Sequence, residues 1–168
     1  MNIYLIGFMG TGKSSVGRRL AELKGRGFID LDELIELRQQ SRICDIFARR
    51  GEAYFRKIEK KILKEAASQK NFVVACGGGA VLDPDNIKLM KKTGFLVCLS
   101  ASVGDILKRT SGSAQRPILN VEDPRERIEL LLKMRAPYYA RADKTVDTSR
   151  LSVKQAALKV LRVLPKGR

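Results

Sequence analysis

Asn2-Ile3-Tyr4-Leu5-Ile6-Gly7-Phe8-Met9-Gly10-Thr11-Gly12-Lys13-Ser14 is the stretch on which the fold turns. A short apolar run leads straight into Gly, four residues, then Gly-Lys-Ser, the P-loop spelling. Val16, Leu20 and Leu23 follow at helical spacing and predict a helix over Lys13–Leu23. Strand, glycine loop, helix is the context that this motif requires. Successive backbone N–H groups in such a loop cradle a phosphate. Glycine permits positive φ and a close backbone approach at positions 7, 10 and 12. The helix start adds unpaired N–H groups and the positive end of its dipole. Gly10, Thr11, Gly12, Lys13, Ser14 and Ser15 are therefore expected to contact a nucleoside triphosphate such as ATP. Lys13 would reach the β/γ-phosphates, and the Ser14 hydroxyl is the natural Mg²⁺ ligand. A loop of this kind does not say what receives the phosphate.

Moving outward, Phe28-Ile29 reads as a second, short strand ending in Asp30-Leu31-Asp32. Two carboxylates at i and i+2 project from one side of an extended chain. They would emerge at the C-terminal edge of a parallel sheet, where ligands bind. A helix is predicted from about Asp32-Glu33, with Leu34, Ile35 and Leu37 as its apolar positions. A helical turn over Cys44–Arg50 should stop at Gly51, and a long helix should fill Glu52–Ser68. Arg56 and Glu59 share a face of it. An exposed i,i+3 pair and a supporting role in a site are both open readings of Glu59. The block of about 32–68 is larger than a plain crossover and reads as a substrate-binding insertion.

Phe72–Cys76 is continuously apolar, as in a strand buried on both faces. Gly77-Gly78-Gly79 follows in place of the usual Mg²⁺-holding Asp. Asp30 on the neighbouring strand is the candidate for that carboxylate. Three glycines would bare the backbone to a close-fitting molecule. Asp83-Pro84 should start a helix that Gly94 ends, and Phe95–Leu99 reads as strand four. A helix from Ser102 to Arg109 leads into the small polar run Thr110–Pro117, read as a mobile lid of about 110–122 carrying Arg116. Asp123-Pro124 begins a long helix to about Ala140, in which Pro137 should kink or unwind the chain. Lys144–Asp147 is a fifth strand, and Ser152 with Gln155 caps a last helix to Leu164. Alternating β and α imply an α/β fold of three layers, a parallel sheet with helices on both faces.

Length and composition narrow the possibilities. The 168 residues suit one domain, residues 1–168. No signal-peptide pattern and no apolar run long enough to span a bilayer is present, so no membrane partner is expected. Cys44, Cys76 and Cys98 form no Cys-x-x-Cys pair, and histidine is absent, which argues against zinc and for a reducing cytoplasm. The net charge of +15 raises the question of nucleic acid. The basic residues are dispersed among acidic neighbours, and aromatics make up 6% of the chain without interleaving. A solvated surface that attracts small anionic substrates is the favoured reading, with no nucleic acid.

The set Gly7–Ser14, Phe28-Ile29-Asp30-x-Asp32, Phe55-Arg56-x-x-Glu59, Cys76-Gly77-Gly78-Gly79-Ala80-Val81, Arg116-Pro117 and Arg135-x-Pro137-x-Tyr139 resembles the shikimate kinases, in that order and across nearly the whole chain. The resemblance implies the nucleoside monophosphate kinase fold, a P-loop NTPase fold with five parallel strands in order 2-3-1-4-5. It implies an enzyme that phosphorylates the 3-hydroxyl of shikimate with ATP and Mg²⁺, in aromatic amino-acid biosynthesis; a monomer is expected. Asp32 would hold the shikimate hydroxyls and assist deprotonation. Arg56 and Arg135 would grip the carboxylate, with Gly77, Gly78 and Gly79 beside them. Arg109 would stack on adenine, Arg116 would act from the lid, and Ser14 and Asp30 would serve the metal. A guanidinium matches a carboxylate bidentately, which suits a small anionic polyol. A gluconate or nucleotide kinase on the same fold, and a basic RNA-binding module, are the competing readings. Arg116→Ala is expected to lower turnover strongly while nucleotide still binds; unchanged turnover in a steady-state assay would remove Arg116 from the mechanism.

Overall fold

The computed structural model describes residues 1–111 and 121–165. Five strands form one sheet: β1 (Asn2–Ile6), β2 (Gly27–Asp30), β3 (Phe72–Ala75), β4 (Gly94–Ser100) and β5 (Lys144–Asp147). Their order is β2-β3-β1-β4-β5, and every recorded pair is parallel. The expected class and strand order are therefore those observed.

Among the described residues the helices are α1 (Lys13–Lys24), α2 (Leu31–Gln39), α3 (Ile43–Ser68), α4 (Pro84–Thr93), α5 (Val103–Thr110), α6 (Pro124–Tyr139) and, after the last strand, α7 (Val153–Val163). A 3₁₀ turn, Ala80–Leu82, follows the triple glycine. Side chains on a strand alternate between faces. Tyr4 and Ile6 accordingly enter one apolar layer with Leu31, Ile35, Phe55, Leu63 and Met90. Ile3 and Leu5 enter the other with Val16, Leu20, Ala157 and Val160. Cys76 and Cys98 are buried, as expected of small core residues.

The caps are those read from the sequence. Ser102 accepts from the Asp105 N–H, Asp83 from the Asp85 N–H with Pro84 at the first helical position, and Ser152 with Gln155 closes a capping box. Gly51 has φ 80° and ψ 172°, so α3 is two helical segments meeting at a break. Three expectations need correction. Leu23, Leu37 and Val153 were placed on apolar faces but are exposed, because neighbours on the same helices already fill the contact. Asp32 is not on extended chain: α2 begins at Leu31, and Asp30 is its N-cap. Helix α6 stays helical through Pro137 to Tyr139.

One side chain ties the start of the sheet together. Asn2 is fully buried, and its amide donates to the Gln69 carbonyl at 2.9 Å while its carbonyl accepts from the Phe72 N–H at 3.0 Å. It joins the first strand to the end of α3 and the beginning of β3. Asn2→Ala orphans both backbone groups and is expected to cost about 2 kcal/mol of stability. The check is a lowered urea midpoint at unchanged slope.

Candidate active site

The P-loop connects β1 to α1. Gly7, Gly10 and Gly12 have φ of 137°, 77° and 95°, values that side-chain-bearing residues rarely adopt. The Lys13 ammonium donates to the Gly7 and Phe8 carbonyls, both at 2.9 Å, and so stays at the loop's rim. Thr11 is buried and braces the loop by donating to the Phe8 carbonyl at 2.7 Å. The Ser14 hydroxyl donates to Asp30 Oδ2 at 2.5 Å. The other Asp30 oxygen accepts from the Asp32 and Glu33 N–H groups at the start of α2. A hydroxyl and a carboxylate side by side at the loop's mouth are hard oxygen donors of the kind Mg²⁺ takes. The pair fits the ion expected there.

Asp32, Arg56, Glu59 and Arg135 come together on the other wall of a continuous cleft of about 1160 Å³. The same cleft holds the phosphate loop, including Ser15, and the Gly77–Gly79 turn. Burial pushes the Asp32 carboxyl up to about 6, helped by the nearby charges of Asp30 and Glu59 and opposed by Lys13 and Arg56. Glu59 is 1% exposed and accepts from Arg56 Nη1 at 2.7 Å, so the exposed-pair reading of this residue is overturned. Burial raises the Glu59 carboxyl, and the Arg56 guanidinium draws it back down. Arg56 also bonds Glu52 at 3.1 Å, so two carboxylates fix its plane. Arg135 is buried, with its guanidinium over the Phe8 ring at 5.6 Å.

Gly77 and Gly79 are explained by room, not by φ, since none of the three glycines is in the left-handed region. A Cβ on Gly77 would stand 2.8 Å from Glu59 Oε1 and 2.9 Å from Asp32 Oδ1. A Cβ on Gly79 would overlap the Arg56 guanidinium. Among the described residues, the N–H groups of Gly78 and Gly79 have no hydrogen-bond partner. Arg109 lies across the nucleotide end of the cleft. It donates to the Gly10 carbonyl at 3.2 Å and to the Thr148 hydroxyl and carbonyl at 3.2 and 2.9 Å. Arg116 lies outside the described residues.

Two residues escaped the sequence reading. Thr148 is buried, and its hydroxyl lies 2.9 Å from the Thr11 carbonyl and 3.0 Å from the Ser100 carbonyl. It thereby links the phosphate loop, β4 and Arg109. Tyr139 donates its hydroxyl to the Gly78 carbonyl at 2.8 Å. A strand followed directly by a polar residue was the only sequence signal for Thr148, and the Arg135-x-Pro137-x-Tyr139 spacing the only one for Tyr139.

Comparison with known proteins follows the same line. A family model described as shikimate kinase matches residues 9–165. A shikimate kinase of Thermoanaerobacter pseudethanolicus is 44% identical over 161 residues, covering 96% of this chain and 94% of the relative. One from Thermodesulfovibrio yellowstonii is 45% identical, covering 96% and 93%. Among solved structures, a shikimate kinase from Acinetobacter baumannii in complex with shikimate superposes with a TM-score of 0.93 at 42% identity, covering 96% of this chain and 91% of that one. A shikimate kinase from Aquifex aeolicus gives 0.81 at 31% identity, covering 96% and 94%. With its phosphate loop, paired guanidiniums and glycine turn set in the family's strand order, the chain belongs to the shikimate kinase family.

Proposed function

We propose that ATP sits on the Gly7–Ser14 loop and shikimate against the facing wall, with Asp32 between them. The reaction of the family is phosphorylation of shikimate with ATP as co-substrate, giving shikimate 3-phosphate and ADP in aromatic amino-acid biosynthesis. The observation that carries the placement is the convergence on one wall of Arg56, Arg135 and two unpartnered glycine N–H groups. Together they form a preorganised set of donors for one carboxylate. A hydroxylated ring held there presents its hydroxyls to Asp32.

Phosphoryl transfer leaves the protein little covalent work, so positioning and charge neutralisation lower the barrier. Asp32 orients the attacking hydroxyl and takes its proton as the oxygen bonds to the γ-phosphorus. A carboxyl raised to about 6 remains mostly ionised at neutral pH and is a better acceptor than an ordinary one. The γ-phosphoryl leaves the β-phosphate oxygen, whose growing charge faces Lys13 and the start of α1. Ser14 and Asp30 would hold Mg²⁺, which supplies charge neutralisation to the phosphates when bound. Arg109, its guanidinium edge fixed by Gly10 and Thr148, keeps a flat face for the nucleobase. We also propose a cytoplasmic monomer organised as one kinase domain, with the α2–α3 block as its acceptor-binding part. No helix among the described residues is long and apolar enough to cross a membrane.

The direct test is ADP release with and without shikimate: acceptor-dependent release supports the proposal, and acceptor-independent release refutes it. Arg56→Ala is expected to raise KM for shikimate at least tenfold with KM for ATP little changed, on the order expected for one charge-assisted contact. Asp32→Asn is expected to lower turnover about a hundredfold. The same variant should melt at a higher temperature than the parent at pH 7. A carboxyl raised by folding makes its ionised form unfavourable to the folded chain above about pH 6, and asparagine removes that charge. A variant melting below the parent would show that the Asp32 charge is paired rather than strained.

A further inference from the structure

The peptide between Gly78 and Gly79 stands where the acceptor's carboxylate would bind, and nothing within the turn fixes its plane. Neither residue carries a Cβ, so rotation of this peptide meets less steric resistance than one flanked by side chains. The turn's own hydrogen bonds go elsewhere, from the Ala80 N–H to the Gly77 carbonyl and from the Leu82 N–H to the Gly79 carbonyl. What holds the Gly78 carbonyl comes from the far side of the fold. Tyr139, buried at the end of α6, donates to it at 2.8 Å.

We propose that Tyr139 is a positioning residue for the acceptor's carboxylate, acting by aiming the Gly79 N–H. A trans peptide places its C=O and N–H in opposite directions in one plane. The chain has no cis peptide bond among the described residues. Fixing the Gly78 carbonyl on α6 therefore fixes the Gly79 N–H on the side away from Tyr139, and Gly79 lines the cleft. Gly79 is buried beside the Arg56 guanidinium, so the N–H and Arg56 share a wall. Arg135, one helical turn before Tyr139, lies close enough to the phenol to interact with it. It also stands 3.5 Å from the point where a Gly78 Cβ would be. One phenol thus sets the direction of a main-chain donor and borders one of the two guanidiniums. Burial pushes the Tyr139 hydroxyl up to about 12, so it keeps its proton and donates across the neutral range.

The inference rests on the reading of Gly79, Arg56 and Arg135 as partners of the shikimate carboxylate. The test pairs one substitution with one change in the ligand. Tyr139→Phe keeps the ring and deletes the donor. It is expected to weaken shikimate binding, measured by titration calorimetry, about fivefold to tenfold, with KM for ATP within twofold of the parent. The second ligand is the shikimate analogue whose carboxylate is reduced to a hydroxymethyl group. The parent should bind this analogue much more weakly than shikimate, and Tyr139→Phe should bind it no more weakly than the parent does. If the parent discriminates between the two ligands but Tyr139→Phe binds shikimate as the parent does, the role of Tyr139 is overturned and the carboxylate reading stands. An equal loss for both ligands, or a rise in both KM values with a lowered melting temperature, would make Tyr139 a packing residue and overturn the inference. A parent that binds both ligands alike would refute the carboxylate reading itself, and the inference with it.

Discussion

The carboxylate of Asp30 is shared between two elements, and the geometry of the cleft depends on that sharing. One oxygen caps α2, and the other takes the hydroxyl of Ser14 at the start of α1. Helix α2 is thereby registered against the phosphate loop by a single group. The cap also sets where α2 begins, and so places Asp32 in its first turn with its carboxylate beside the glycine turn. The closeness of Asp30 to Asp32 has a chemical effect as well. Burial against a low-dielectric wall raises the Asp32 carboxyl, and the like charges of Asp30 and Glu59 add to it, the condition under which a carboxylate becomes a competent proton acceptor.

The wall of the cleft that carries Asp32, Arg56, Glu59 and Arg135 shows how buried charge is managed. Glu59 is nearly inaccessible, and an ion in that position is costly unless paired. Arg56 provides the pairing, and Glu52 adds a second, more exposed carboxylate to the same guanidinium. This leaves Arg56 oriented but with capacity for a further anion. Arg135 is held differently, with its guanidinium over the Phe8 ring and the Tyr139 phenol nearby on its own helix. The glycine turn passes between these groups because a side chain at 77 or 79 would occupy the space of their charged atoms. Close packing of charge, rather than unusual backbone torsion, accounts for those two glycines.

Much of this was legible in the sequence where a residue meets a local need. The P-loop glycines answer a torsional requirement, the caps at Ser102, Asp83 and Ser152 satisfy N–H groups two or three residues away, and strand burial shows as unbroken apolar runs. Where a role depends on distant chain, the sequence was silent or misleading. Asp30-x-Asp32 has the spacing of a strand face, yet the N-cap function of Asp30 starts the helix earlier than that pattern suggests. Glu59 looks like any surface member of an i,i+3 pair, yet it is buried, with Gly77 from a separate stretch of chain set against it. Thr148 and Tyr139 act on carbonyls 137 and 61 residues away, contacts that leave no periodicity to detect.

The strand order has a consequence for synthesis. β1 is made first but lies at the centre of the sheet, and its two neighbours are β3 and β4. Until Phe72–Ala75 and Gly94–Ser100 have emerged, the nascent chain carries a mostly apolar ribbon with both hydrogen-bonding edges open. Parallel pairings of this length in sequence are slow to close, and open edges invite association with other chains. The loop that follows β1 is therefore made before both strands that flank β1 and acquires its shape only after them.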